Sequence, residues 1–476
     1  MSSRAQMSES AEAKRVALFV AALSSFLAPF MISAVNIAIP VIAGRFKASA
    51  VQVSWFANAY LLTTSMFLVP FGRIADLYGR KKVFIYGMVV YTSSSLIAAM
   101  ANSGLMLIAA RLVEGTGAAM IVGTGIAILT SIFPPEDRGR VLGINVAAVY
   151  LGLSLGPFIG GFMTDFLGWR SVFLLNVPLG STALAMVIWK LKGEWAGARG
   201  ESFDIPGAVI YMLMLPALIY GLPNLPEEHL LGAVLVGAGV LGVAAFIWRQ
   251  SRIEQPLLDV KLFRHNTVFA FSNLAALINY SATFAVGFLL SLYLQFTQGH
   301  SAFVAGILLV PQPAVMTILS PFAGRLSDRM EPIIVASVGM ALTTLGLFLF
   351  IFLGEDTSML YIVFDLVILG AGFGLFSSPN TNAVMSSVKP RLYGVASGTL
   401  GTMRTIGQSM SLGIVTLMFA IYIGSTEFVS GGALTAAAEP LFLKSVRISF
   451  VIFTFLCFGG IFASMARGRM REDGTE

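Results

Sequence analysis

Histidine and cysteine are almost missing: 476 residues hold three His and one Cys. A single cysteine, Cys457, excludes an internal disulfide, and the scattered His have no companions at metal-ligand spacing. There is no phosphate-cradling Walker loop and no nucleophile elbow, so the sequence reads as a non-enzyme with no cofactor. Any work it does must draw on an ion or solute gradient. Charge is scarce too, at 11% of residues against about 25% in soluble domains. A cleavable signal is not evident, because segment 16–38 is longer than a signal core and lacks a cleavage site.

What fills the chain instead is apolar sequence, 57% of it, in runs of eighteen or more residues, each long enough to cross about 30 Å of hydrocarbon. These runs are too long and unbroken for barrel strands of about ten alternating residues. The reading is an all-α polytopic membrane protein with spans near 16–38, 51–71, 83–101, 104–131, 140–163, 169–189, 206–222, 230–248, 267–295, 301–323, 333–353, 359–383, 394–422 and 446–466. With a cytoplasmic N-terminus, 23 of the 30 Lys and Arg fall inside, five outside, and Arg111 and Arg404 within spans. That asymmetry follows the positive-inside rule. It explains the net charge of +6 without nucleic acid, and predicts both termini on the cytoplasmic side.

The charges that remain are clustered. "GRIADLYGRKKV" at 72–83 shares its start with "GRLSDRMEPIIV" at 324–335. Gly72, Arg73 and Asp76 match Gly324, Arg325 and Asp328 at an offset of 252. Gly115, Gly117, Pro135, Gly139, Gly143 and Gly152 match Gly370, Gly372, Pro390, Gly394, Gly398 and Gly407 at 255. Two parallel halves of six helices explain this, with two helices inserted between them. The expected organisation is a tail at 1–15, a six-helix bundle at 16–190, two linker helices with flanking loops at 191–265, a second bundle at 266–466 and a tail at 467–476.

These features resemble the major facilitator superfamily. Its loop motif between the second and third helices is similar to Gly72, Asp76, Gly79, Arg80, Lys81 and Lys82, position for position. "RLVEGTGAAMIVG" at 111–123 resembles the fourth-helix motif, and "GLSLGPFIGG" at 152–161 the fifth-helix antiporter motif, with Gly152, Gly156, Pro157, Gly160 and Gly161 in place. "GWRSVFLLNVPLG" at 168–180 resembles the start of the sixth helix in drug exporters, and six-plus-two-plus-six is the layout of the fourteen-helix drug:proton antiporters. The resemblance implies the major facilitator fold and proton-coupled multidrug efflux by alternating access, through a monomer in the plasma membrane. Its partners would be small molecules, often amphipathic cations, together with protons and lipids. One departure stands out: in "FMISAVNIAIP", Met31 replaces the first-helix Asp of that subfamily, which leaves lipid or metabolite transport, or uniport, as the alternative.

The candidate residues follow from cost. A charge within a span costs at least about 2.5 kcal/mol, so each one carries a functional hypothesis. Arg111 and Glu114 share a helix face, either as a self-neutralising structural pair or with Glu114 exchanging a proton beside Arg111. Asp365 is the other buried carboxylate, and Asp165 reads as a cap near an outer helix end. Arg404 meets a substrate anion or a helix C-terminus. Asp76, with Gly72, Gly79, Arg80, Lys81, and with Arg138 or Arg140 as partner, reads as a conformational latch for the outward-open state. Gly152, Gly156 and Gly160 form a packing groove beside the Pro157 bend, a hinge between the halves. Asn36, Trp55, Tyr60, Phe284, Phe376, Asn380 and Asn382 are candidates for the cavity wall. A cavity carrying Glu114, Asp365 and aromatics would favour drug/proton exchange, and a long apolar lateral opening would favour lipid. The loop 423–445 reads as a hairpin or an amphipathic element.

Overall fold

The computed structural model describes residues 3–468 apart from 134, 192, 199, 226–227, 390–392, 425–427 and 431–432. It gives backbone alone for 3–13, 135–140, 142–143, 146, 261, 328–329, 393–394, 429–430 and 433. In chain order its long helices are α1 (Ser3–Phe46), α2 (Ala50–Tyr78), α3 (Arg80–Ala99), α4 (Gly104–Ile132), α5 (Pro135–Phe166), α6 (Arg170–Lys190), α7 (Ile205–Asn224) and α8 (His229–Gln250). Next comes α9, built from Thr267–Thr283, Ala285–Leu292 and a π-helical turn Tyr293–Thr297, and α10, built from Ala302–Leu309 and Pro311–Arg329. The last four are α11 (Pro332–Leu349), α12 (Met359–Ser386), α13 (Tyr393–Tyr422) and α14 (Ala438–Met465).

Helices follow from the apolar runs because a backbone in hydrocarbon must bond to itself. Their starts are set by polar caps: the side chains of Ser49, Ser103, Asn266, Ser301 and Ser358 each accept a backbone N–H three residues on. Among the described residues, thirteen helices are long and apolar enough to cross a membrane. The exception, α2, is diluted by Ser54, Asn58, Thr63, Thr64 and Ser65, which are nonetheless buried against neighbouring helices. Several boundaries differ from expectation: α1 starts at Ser3, within the expected tail 1–15, and α2 and α10 run on to Tyr78 and Arg329. The helix α1 runs on to Phe46, because Pro40 inside a span removes one N–H without ending the helix. The helix α14 begins at Ala438, and the loop before it holds a two-residue hairpin pairing Val429 with Leu434. In α9 the ladder breaks at Phe284, where the Ala285 N–H donates to Ser411 Oγ of α13 at 3.0 Å instead.

Packing repeats between the halves. Positions 115 and 370 abut α2 and α10, at Tyr60 and Gln312 respectively. Positions 117 and 372 abut α3 and α11, at Gly87 and Gly339, and positions 152 and 407 abut α1 and α9, at Phe26 and Leu277. The halves meet where α2 packs on α13, α5 on α10 and α1 on α9. Helix α7 lies over the first of these seams, contacting α2 and α13, and α8 packs on α7; the Tyr211 hydroxyl of α7 donates to Ser65 O of α2 at 3.0 Å.

Candidate functional site

Both halves contribute to a cavity of about 140 Å³ on the molecule's midline. Its wall takes Ser33 and Asn36 from α1, Pro157 from α5, Tyr280, Thr283 and Phe284 from α9, Gln312 and Met316 from α10, Phe373 from α12 and Gln408 from α13. Away from the 72–83 loop this cavity is shut. Ser291 Oγ and Gln295 Nε2 of α9 donate to Asn36 O and Ile37 O of α1 at 2.9 and 3.0 Å. A Cβ at Gly161 would sit 2.5 Å from Ala302 O, and one at Gly306 would run into Pro157 O. Only glycines allow α5 and α10 to approach so closely. Asp165 Oδ2 accepts the Phe303 N–H at 2.9 Å, capping α10 from the other half, while the Phe303 ring packs on Phe158, Phe162 and Phe166. On the loop side of the wall two contacts still cross between the halves: the Tyr150 and Ser377 hydroxyls are 3.2 Å apart, and those of Ser154 and Thr317 are 3.5 Å apart.

Of the predicted cavity residues, Asn36 and Phe284 are on the wall, and Arg404 stands beside it. Arg404 lies one helical turn from Gln408, over the Tyr280 ring at 5.6 Å, with Nη2 donating to Thr381 Oγ1 at 2.6 Å. The other five are elsewhere. Trp55 packs on Tyr220 of α7. Tyr60 lies under the Arg111 guanidinium at 4.5 Å, inside the first bundle. Phe376 is in the core, and Phe373, one turn earlier, takes the wall position. Asn380 Nδ2 donates to Ser272 O at 3.1 Å and its Oδ1 accepts from Arg467, while Asn382 Nδ2 donates to Ser327 Oγ at 3.2 Å. These two asparagines tie helix to helix, the other way of meeting the cost that made them cavity candidates. Asn380's partner Arg467, just past α14, is 1% exposed, and burial pushes its pKa down to about 10.

Neither carboxylate reaches the wall. Glu114 is 0% exposed between α3, α4 and α6. Its Oε2 pairs with Arg111 Nη1 at 2.7 Å, and its Oε1 accepts from Ser95 Oγ at 2.6 Å and Asn176 Nδ2 at 3.4 Å. Arg111 Nε donates to Phe56 O at 3.3 Å. Asp365 is equally buried, against Gly346 of α11, and among the described residues neither of its oxygens has a hydrogen-bond partner. Met31 is buried in the core.

The glycine stripe has the contacts its spacing predicts. Cβ atoms at Gly152, Gly156 and Gly160 would lie 2.5, 2.5 and 2.6 Å from Phe26 O, Ser33 Cβ and Ala34 Cα of α1.

The latch residues are held by partners the sequence reading did not name. Asp76 Oδ1 pairs with Arg80 Nη2 at 2.7 Å, and Arg80 Nη1 donates to Ala127 O and Ser131 Oγ of α4 at 3.0 and 2.6 Å. The segment after α6 straps across them: Lys81 N donates to Glu194 Oε1 at 2.8 Å, Arg80 N to Trp195 O at 2.8 Å, Ala198 N to Asp76 O at 3.0 Å, and Arg73 pairs with Glu201 at 2.7 Å. Gly79, at φ +126°, turns α2 into α3, and a Cβ there would strike the Glu194 carboxyl at 2.5 Å. Nothing lies within 4 Å of a Cβ at Gly72. Among the described residues the cluster makes no bond to the second half; the side chains of Arg138 and Arg140 lie outside the described residues.

The strap ends at Asp204, which caps α7 through Gly207 N at 3.0 Å, pairs with Arg249 at 2.7 Å and accepts from Gln250 Nε2 at 2.7 Å. Burial works to raise its pKa, but these donors outweigh it and hold the carboxyl below its ordinary 3.8. A depressed carboxyl contributes stability above its unfolded pKa, and that contribution disappears as pH falls through the folded value. Acid titration of the thermal midpoint should therefore show a loss below about pH 4 that is absent in Asp204→Asn, whose midpoint is already lower at pH 7. Parallel titrations would count against this role.

The comparisons with known proteins agree with this architecture. Residues 21–412 match the profile described as Major Facilitator Superfamily. The chain is 29% identical over 413 residues to the riboflavin transporter RibZ of Clostridioides difficile, covering 86% of this chain and 88% of that one. It is 33% identical over 411 residues to the cephamycin export protein CmcT of Amycolatopsis lactamdurans, covering 84% of each. Among solved structures, a bacterial homologue of the human lysosomal transporter Spinster, inward-facing and unoccupied, superposes with a TM-score of 0.67 at 16% identity, over 95% of this chain and 97% of that one.

Proposed function

The chain belongs to the Major Facilitator Superfamily, and on that premise we propose that it is a secondary active exporter that exchanges amphipathic small molecules for protons by alternating access in the cell membrane. The observation that carries this reading is the midline cavity, walled by both halves and shut at one end by glycine contacts between α5 and α10. A wall shared between two bodies changes its access when they rock, and a glycine seam allows rocking without side chains to unpack. With the 72–83 loop on the cytoplasmic side, the glycine seam closes the outer end of the cavity. The strap, which bonds the loop within its own half, fits a latch that has let go of the second half. A relative named as an export protein supports the direction of transport.

Lipid transport is less well supported. Among the described residues α7 packs over the α2–α13 seam, and α5 and α10 close on each other at the outer end, which disfavours entry of an acyl chain at either place. Metabolite transport keeps one supporting fact, the riboflavin transporter among the relatives.

The test is transport by the purified protein in liposomes under an imposed pH gradient. Substrate movement that collapses with a protonophore supports exchange; movement indifferent to the gradient refutes proton coupling. Alternating access has its own check. With Cys457 replaced by Ser and Thr283→Cys placed on the cavity wall, Gly306→Val should prevent outer closure. Labelling from outside by an impermeant maleimide should then speed up about tenfold. An unchanged rate would mean that the glycine seam is not the gate.

A further inference from the structure

The cavity wall carries no Asp or Glu. It carries three primary amides, on Asn36, Gln312 and Gln408, whose side chains have no hydrogen-bond partner among the described residues. Each amide offers donors and an acceptor from a different helix. Three rings share the wall: Phe284, and Tyr280 edge-on to Phe373 at 5.2 Å between centroids. A positive charge lies against these rings: the Arg404 guanidinium sits over Tyr280 at 5.6 Å, and its Nε has no partner among the described residues.

From this we infer that the cavity selects planar, uncharged or anionic compounds bearing amide, imide or carboxyl groups, and discriminates against lipophilic cations. A cation entering would give up water without meeting a carboxylate. The ring best placed to hold it by cation–π attraction already holds Arg404. A planar carbonyl- and N–H-bearing ring meets the opposite situation: aromatic faces to lie on, unpaired amides to bond and, if it is anionic, a guanidinium within reach. This replaces the cationic class expected from sequence resemblance, and it rests on the reading of this cavity as the transport site.

The test is equilibrium binding of three fluorescent tricyclic probes of similar size to the full chain in lipid nanodiscs: lumiflavin (uncharged), fluorescein (anionic) and proflavine (cationic). Lumiflavin and fluorescein should bind about tenfold or more tighter than proflavine. Gln312→Leu and Gln408→Leu should each weaken lumiflavin about tenfold with the thermal midpoint unchanged. Arg404→Gln should weaken fluorescein alone, and Arg404→Lys should restore most of its binding. Proflavine binding tightest, no probe binding, or an unchanged fluorescein affinity in Arg404→Gln would each overturn the inference. Liposome transport separates it from the function proposed above. Proton-linked movement of proflavine with tight binding refutes the selectivity and leaves export standing. Tight lumiflavin binding without proton-linked movement of any probe does the reverse.

Discussion

Asp365→Asn should abolish proton-driven transport while leaving substrate binding and substrate-for-substrate exchange intact. The argument is one of unmet charge. Asp365 is 0% exposed, and neither oxygen has a donor or a cation against it among the described residues. An ionised carboxylate so placed is costly, and the one ligand small enough to discharge it in place is a proton. Glu114 is the opposite case, since Arg111, Ser95 and Asn176 already occupy its oxygens. Asp365 also lies on the helix that supplies Phe373 to the cavity wall, eight residues and so about 12 Å along the axis. A tilt of α12 on substrate binding therefore reaches both. Two readings check it. Substrate added to lightly buffered wild-type protein should release protons, and Asp365→Asn should release none. In liposomes the variant's gradient-driven rate should fall at least about a hundredfold, while exchange at equal pH stays within about twofold. Proton release at the wild-type level in Asp365→Asn would remove this residue from the coupling step.

How far the sequence reaches this site depends on what a residue's spacing encodes. Gly152, Gly156 and Gly160 were legible because every fourth position lies on one face, and a small-residue face demands a close neighbour. Which neighbour was not encoded; it is α1. The repeat was legible for the same reason, since Gly117 and Gly372 each meet a glycine of the preceding helix. Polar residues in spans mislead in one direction. Asn380 and Asn382 had to be bonded, but the cost is met equally by water in a cavity and by Ser272 or Ser327 on another helix. The same cost bears on Gln312 and Gln408, amides within spans, and both are on the wall. Tyr280 and Phe373 carried no such signal, because aromatics suit lipid, core and cavity alike. The strap was out of reach altogether. Glu194 and Glu201 meet Lys81 and Arg73 from more than a hundred residues away, through an irregular segment with no period to read.

Removing one member of the Arg111–Glu114 pair should cost about 3–5 kcal/mol of stability, because the survivor is left as an uncompensated buried charge. The pair is enclosed, at 1% and 0% exposure, and each member also satisfies neutral groups: Arg111 bonds Phe56 O and lies on Tyr60, and Glu114 gathers Ser95 and Asn176. It thus joins α2, α3, α4 and α6 around one ion pair, and its work is to hold the first bundle rigid while the two halves rock. Arg111→Leu and Glu114→Leu should each lower the thermal midpoint sharply. The double Arg111→Met, Glu114→Leu variant should recover most of the loss, since replacing both partners leaves no orphan charge. Glu114→Gln separates structure from coupling. It keeps the shape and the Ser95 and Asn176 contacts but strands Arg111, so the midpoint should fall while the protein that remains folded still releases protons on substrate addition. A Glu114→Gln protein with the wild-type midpoint and no proton release would reverse the assignment, placing the coupling proton on α4 and leaving Asp365 as a buried carboxylate without that role.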